Sequence, residues 1–274
     1  MTAVTLFGST GFIGSAYLEY SANQVESVDR NLPNPNFNEI VYAIGTTDNY
    51  NIFENPYLDI ETNLIKLISD LELVRKKFGK FTINYLSSWF VYGDANFPPF
   101  REDGYCNPKG FYSISKFAAE KFLISYCETY EINYRILRLA NVFGSTDSGV
   151  SKKKNALQFL LSEIKQNRNI ELYEGGDFVR DYIDVRDVVS AIDLLIEKGE
   201  ANSIYNIGTG VPTRFYDLLH KAKLETNSSS EFVNIPTPKF HRIVQVRDSF
   251  LEVSKLKSLG FSPKYSILNE IIHL

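Results

Sequence analysis

Short apolar runs alternate with longer stretches whose apolar positions recur every three or four residues. That is the pattern of a parallel sheet covered on both faces by helices. The run Val4 to Phe7 predicts a first strand that breaks at Gly8 into a helix reaching about Ser21. Gln24 to Val28 predicts a second strand ending at Asp29. Residues 31–38 are rich in Pro and Asn and read as loop, and Glu39 to Ile44 predicts a third strand. An amphipathic stretch, Asn55 to Phe78, then precedes a fourth strand over Phe81 to Leu86. After a Pro- and Gly-rich connection at 94–110, Tyr112 to Tyr130 is helical by pattern, with Phe117, Ala118, Lys121, Phe122 and Ser125 along one face. Tyr134 to Leu139 predicts another strand.

Beyond Gly144 the pattern shifts. Residues 145–155 are polar and basic, followed by a helix at 156–165, a strand over Ile170 to Tyr173 and a turn at Gly175 and Gly176. Strand and helix signals return over 178–196 and 204–207, and 208–274 reads as a small mixed unit. The expected fold is a doubly wound α/β sheet formed by residues 1–144, with 178–207 returning to it. Residues 145–274 mainly form a small α/β cap.

With 274 residues, 44% of them hydrophobic, the chain can bury a core of that size, and two full domains would be cramped. The net charge of −4 provides no overall basic field for nucleic acid or anionic lipid, but permits a local cationic pocket for an anionic small molecule. Two cysteines, Cys106 and Cys127, are too few for a disulfide framework, and three histidines are too few and too late in the chain for a multi-histidine metal centre. No apolar stretch approaches the ~18 residues of a membrane helix. The opening residues lack the basic start and apolar core of a secretory leader, so the expectation is a soluble, cytoplasmic protein.

Candidate chemistry begins at Gly8-x-x-Gly11-x-x-Gly14, which follows a strand and opens a helix. Glycines there permit a tight turn and let backbone N–H groups approach a pyrophosphate at the helix N-terminus. Asp29 ends the second strand, where a carboxylate can hydrogen-bond the adenosine ribose, which favours NAD. Arg30 beside it could instead meet the 2′-phosphate of NADP. Tyr112-x-x-x-Lys116 places a phenol and an ammonium one helical turn apart, so the cation can lower the phenol pKa and make it a usable acid or base. Tyr105 and Lys109 match the same spacing, but Gly104 and Pro108 put that pair in loop. Ser88 sits just past a predicted strand end, where open α/β sheets bind ligands.

Together these residues resemble the extended short-chain dehydrogenase/reductases of the NAD-dependent epimerase/dehydratase family, which act on nucleotide sugars. The resemblance spans nearly the whole chain: Thr10-Gly11-Phe12-Ile13-Gly14, then Leu86 to Gly93, Pro108 to Lys116, Leu137 to Gly144, Arg180 to Val185, Tyr205 to Gly210 and Val253 to Leu256 follow in the family's order. It implies a Rossmann-like sheet with a substrate-binding cap. It also implies that Ser88, Tyr112 and Lys116 are catalytic and that Lys116 holds the nicotinamide ribose. The cofactor would further meet Gly8, Thr10, Gly11, Phe12, Ile13, Gly14, Asp29 or Arg30, Ala43, Ile44, Gly45 and Asn63. Asn141, Asn155 and Arg180, with Arg242 or else Arg247, would grip the diphosphate and nucleoside of a nucleotide-diphosphate sugar, alongside Ser88. A homodimer through helices 56–78 and 111–130 is implied as well.

Two departures shape the expected activity. Residues 29–38 leave no room for the family's usual helix and third strand, so the sheet should lack that unit and hold adenine loosely. Trp89 and Phe90 stand where the family's 4,6-dehydratases carry an Asp-Glu pair, so elimination lacks its acid/base. As large apolar side chains they default to the core, with pocket lining the alternative. The expected activity is a C4 epimerase, with a 4-keto-sugar reductase as the alternative and a dehydratase or a redox-inactive binding protein behind both.

Overall fold

The computed structural model describes residues 1–94, 97–144 and 156–274. Six strands build the central sheet: β1 (Ala3–Phe7), β2 (Gln24–Val28), β3 (Glu39–Tyr42), β4 (Thr82–Ser88), β5 (Asn133–Leu139) and β6 (Ser203–Ile207). Their order is β6-β5-β4-β3-β1-β2, with every pairing parallel. The inner strands are near-continuous apolar runs because both of their faces are covered.

One face packs α1 (Phe12–Tyr20) and the helix Val185–Lys198 on Val4, Leu6, Val41, Leu137 and Ile207. The other packs the helical stretch 58–78 and α2 (Phe111–Tyr130) on Phe7, Ile40, Tyr42, Ile83 and Ile136. Alternate residues of each strand thus serve opposite layers.

The connection from β2 to β3 contains no helix. It crosses the end of β1 as coil and is tied there by Thr5, whose hydroxyl donates to the Phe37 carbonyl (2.9 Å) and accepts from the Phe37 N–H (3.0 Å). The expected loss of one unit is therefore seen, and β2 is left as the sheet edge. Because β2 lies to one side of β1 and β3 to β6 to the other, the carboxyl ends of β1 and β3 flank the topological switch point, where such sheets bind ligands.

A third core gathers Leu157, Leu161 and Ile164 with Ile170, Leu172, Phe215, Leu218 and Ile271. The strands Ile170–Tyr173 and Phe232–Ile235 pair within this unit. The tail does not all belong to it: Val246, Leu251, Val253, Leu256 and Phe261 pack into the core beneath the main sheet. Lys255 anchors this return, donating to the Ile204 carbonyl at 2.9 Å and lying over the Tyr205 ring.

Two local readings change. The stretch expected from Asn55 becomes a continuous helix only from Leu58, with a π turn at 61–65. On α2 the face carrying Phe122 and Ser125 points outward, and Tyr112, Ser115, Lys116, Ala119, Glu120, Leu123 and Cys127 are buried instead. Spacing alone favoured the aromatic face, but the inward charged residues have partners that offset their desolvation. Among the described residues no helix is long and apolar enough to cross a membrane.

Candidate active site

A cavity of about 1180 Å³ opens at the switch point, between the carboxyl ends of the strands and the C-terminal unit. Its first wall is the turn after β1. Gly8 has φ +89°, and a Cβ there would lie 2.8 Å from the Ala43 carbonyl carbon. A Cβ on Gly14 would lie 2.0 Å from the Gly8 carbonyl oxygen. Both glycines let the turn fold flat, while Thr10, Gly11, Phe12 and Ile13 line the cavity. Gly11 caps α1 without a side-chain hydrogen bond, and no acidic residue lies in the first turn. The helix therefore presents free N–H groups and the positive end of its dipole, which fits a pyrophosphate.

Asp29 and Arg30, at the end of β2, are exposed and outside the cavity wall. The Asp29 carboxylate accepts from the backbone N–H groups of Asn31 (2.7 Å) and Leu32 (3.0 Å), which hold its pKa below the usual carboxylate value.

The second wall follows β3. Ala43, Ile44 and Gly45 line the cavity, and Gly45 leaves so little space that a Cβ would lie 3.2 Å from Lys116 Nζ and 3.4 Å from Asn63 Oδ1. Asn63 sits in the π turn, a distortion frequent at functional sites. Its carbonyl oxygen accepts the Thr46 N–H at 3.0 Å, and its amide donates to Thr46 Oγ1 and Ser115 Oγ, each at 2.8 Å. The loop is thereby fixed to α2. Buried Asp59 accepts from the Thr46 hydroxyl and, at 3.1 Å, from the Asn51 amide.

The end of β4 and the start of α2 bring the candidate catalytic residues together. Ser88 caps the short turn at Trp89–Tyr92, accepting from the Phe90 N–H at 3.3 Å, and shares the cavity wall with Tyr112. Burial pushes the Tyr112 phenol up to about 12, opposed by the Ser88 contact. The Lys116 ammonium donates to the Leu86 carbonyl at 2.6 Å and lies 4.3 Å from the centre of the Tyr85 ring. Burial brings it down to about 7. The expected lowering of the phenol by the cation is thus not found: burial raises it, and what opposes the rise comes from Ser88, not Lys116. The alternative pair is separate: Tyr105 is exposed, and Lys109 reaches Asp94 at 3.4 Å.

Trp89 is buried and stacks on Phe90 at 4.0 Å, and Phe90 meets the Tyr112 ring edge-on. Both also line the cavity, so core and lining coincide.

Asn141, Arg180 and Arg242 line the opposite side, and Asn155 lies outside the described residues. Asn141 donates through its side chain to the Asp181 carbonyl at 3.0 Å. Buried Arg180 donates to the carbonyls of Val179 and Val246, each at 2.9 Å, and of Arg247, and lies over the Phe178 ring. Among the described residues it forms no ion pair. Arg242 is exposed and likewise unpaired among the described residues. Arg247 is held by Asp177 (3.3 Å), Asp248 (3.8 Å) and Glu174 (3.9 Å).

Several lining residues escaped sequence reasoning. Thr46, Asn49 and Tyr50 follow a strand end, a position that could have flagged them. Tyr173 and His241 carry no local signal. The Tyr50 hydroxyl is hydrogen-bonded to His241 Nε2, and Phe53 meets Phe240 at 4.7 Å, joining the two units over the cavity rim.

Comparison with known proteins agrees with this architecture. The chain is 28% identical over 235 residues to a putative UDP-glucose 4-epimerase of Methanocaldococcus jannaschii, covering 85% of this chain and 75% of that one. It is 27% identical to a GDP-6-deoxy-D-mannose reductase of Pseudomonas aeruginosa, covering 83% and 76%. The crystal structure of a UDP-glucose 4-epimerase with UDP-glucose from Thermotoga maritima superposes with a TM-score of 0.86 at 26% identity, over 99% of this chain and 96% of that one. The sequence profile of the NAD-dependent epimerase/dehydratase family matches residues 26–208, and with the glycine turn, the Tyr112 helix and the switch-point cavity in place, the chain belongs to that family.

Proposed function

We propose that this protein is an NAD(P)-dependent nucleotide-sugar epimerase that inverts C4 through a transient keto sugar. The observation carrying this reading is the convergence of Ser88, Tyr112 and Lys116 on one wall of the cavity, with aromatic residues where elimination would need carboxylates. The cavity exceeds the usual span of a single small-molecule site, which suits a dinucleotide and a nucleotide sugar lying together.

The Gly8-Gly11-Gly14 turn, with Thr10, Phe12 and Ile13, would take the cofactor pyrophosphate. Asp29 would take the adenosine ribose of NAD, with Arg30 the alternative contact for NADP. Ala43, Ile44, Gly45, Asn63 and Lys116 would surround the nicotinamide end. Bound there, the nicotinamide supplies reversible hydride transfer at the sugar carbon.

Tyr112 takes the proton of the sugar hydroxyl as the carbonyl forms and returns it on reduction. The oxidative step starts from the phenolate, which Ser88 and the Lys116 ammonium would stabilise against burial; it becomes the phenol as the sugar hydroxyl loses its proton, and the phenol gives that proton back on reduction. Ser88 also donates to the sugar oxygen. Arg180, Arg242 and Asn141 hold the diphosphate and nucleoside, since guanidinium groups match phosphate geometry. Arg242 is preferred to Arg247, whose charge is already met by three carboxylates.

One observation favours a 4-keto-sugar reductase as the second reading: the adenosine side ends at an edge strand with Asp29 exposed, which suits a cofactor exchanged at each turnover. Incubation with UDP-, dTDP-, GDP- and CDP-sugars and catalytic NAD is expected to interconvert C4 epimers without net cofactor consumption. Stoichiometric NADPH oxidation on a 4-keto sugar nucleotide, with no epimers formed, overturns the epimerase reading.

The same reading extends to assembly. Helical residues 58–78 and α2 pack side by side and turn Ile60, Ile65, Ile68, Phe111, Ile114 and Phe122 to solvent. A second copy would bury that surface in a four-helix contact. Light scattering at micromolar concentration is expected to give a dimer mass, reduced to a monomer by Ile65→Glu with Phe122→Glu. A monomeric wild type removes the proposal.

A further inference from the structure

Tyr112, Lys116 and Glu120 stand one turn apart on the buried face of α2, which packs against β4. Tyr112 shares the cavity wall with Ser88, Lys116 donates to the Leu86 carbonyl, and Glu120 accepts from the Ser87 hydroxyl at 2.5 Å. Glu120 is 1% exposed, and its carboxylate is bound through both oxygens by Arg138 of β5, at 2.7 and 3.1 Å. Arg138 is itself fixed by the Glu102 carbonyl at 3.3 Å and stacks over the Tyr92 ring at 4.7 Å. A buried charge pair of this kind is costly to assemble and yields little stability over an apolar replacement. Here it lies one helical turn from the candidate catalytic lysine and against the residue preceding Ser88.

We propose that Glu120 is the positioning residue of this site: held by Arg138, it fixes the strand end that carries Ser88 and sets a carboxylate beside the Lys116 ammonium. The proposal rests on the catalytic reading of Ser88, Tyr112 and Lys116. Lys116 is faced by Glu120 from α2, by the Tyr85 phenol ring and the Leu86 carbonyl from β4, and by Gly45 from the cavity wall. Burial lowers the Lys116 ammonium, and the charge opposing that loss belongs to Glu120. Without it, more of Lys116 is neutral at neutral pH, and the positive charge one helical turn from Tyr112 is reduced.

The test follows the Lys116 side chain by NMR in protein labelled with ¹³C-lysine, its signal assigned by its loss in Lys116→Met. Glu120→Gln is expected to lower the Lys116 titration midpoint by about one pH unit or more, and Glu120→Asp to recover part of the shift. Turnover by Glu120→Gln should fall about tenfold at pH 8 and recover toward pH 6, with KM for the sugar nucleotide little changed. If Glu120→Gln alone does not fold, because Arg138 is left charged and unpaired, Glu120→Gln with Arg138→Met removes both charges and takes its place. A folded variant of either kind whose Lys116 midpoint matches wild type overturns the proposal. The titration needs no substrate, so absence of turnover on every sugar nucleotide counts against the epimerase reading and leaves this comparison intact.

Discussion

Tyr112→Phe is expected to lower kcat by about 10²- to 10⁴-fold, the range of a positioned acid or base, while KM for the nucleotide sugar stays close to wild type. The substitution deletes one oxygen from a side chain only 7% exposed, and the ring keeps its edge-on contact with Phe90. No cavity opens and no cavity-lining arginine moves, so the effect isolates proton transfer from binding and folding. Loss of a single buried hydroxyl changes stability by on the order of 1 kcal/mol, too little to unfold a protein of this size. Steady-state kinetics on the sugar nucleotide identified by the substrate screen measures it. A Tyr112→Phe protein within tenfold of wild-type kcat would take Tyr112 out of the chemistry, and no turnover by wild type on any sugar nucleotide would favour a redox-inactive binding role.

The second large effect is expected at Gly14→Ala. A methyl group there would sit 2.0 Å from the Gly8 carbonyl oxygen, 2.8 Å from the Gly8 carbonyl carbon and 3.0 Å from the Ser9 Cα. All three are backbone atoms, so no rotamer change relieves the clash and α1 must lift from the end of β1. Overpacking of this kind costs about 1–3 kcal/mol or more, and Tm should fall by roughly 5–10 °C. Lifting α1 also displaces the N–H groups offered to a pyrophosphate, so NAD affinity should drop at least about tenfold. Gly11→Ala is the matched control. Its Cβ meets the Gly8 carbonyl oxygen at 3.5 Å, an ordinary contact, so Tm should hold within about 2 °C even though Gly11 lines the cavity. Calorimetry and cofactor titration on the two variants separate these effects, and equal melting points for wild type and Gly14→Ala would contradict the steric account.

The sheet was legible because each buried parallel strand is a compact apolar run ended by polar or small residues, as at Phe7-Gly8 and Leu86-Ser87. The residues that open-sheet topology sends to the cavity sit at those ends, so Gly11, Ala43, Ser88 and Asn141 could be located from periodicity and motif order. What the sequence hid depends on distant partners. The inward face of α2 carries Lys116 and Glu120 instead of the face with Phe122 and Ser125 that spacing favoured; their burial is intelligible only once the Leu86 carbonyl, Ser87 and Arg138 are beside them. The Tyr112 phenol was misjudged for the same reason, since a local spacing rule sees the neighbouring cation but not the desolvation imposed by β4 and Phe90. Tyr50 and His241 meet across almost the whole fold, and no local pattern announces such a contact.

The helix-free crossing between β2 and β3 bears on solubility as well as on cofactor exchange. It leaves a border strand whose unpaired backbone groups could recruit the border of another molecule and seed edge-to-edge aggregation. This chain keeps that strand to five residues, Gln24–Val28, with Glu26 at its centre, where the carboxylate accepts from Asn36 at 2.5 Å. Pro33 and Pro35 in the adjoining coil lack the N–H that would extend a ladder. The shortened border is brief, charged and flanked by proline, three features that each discourage pairing with a second edge.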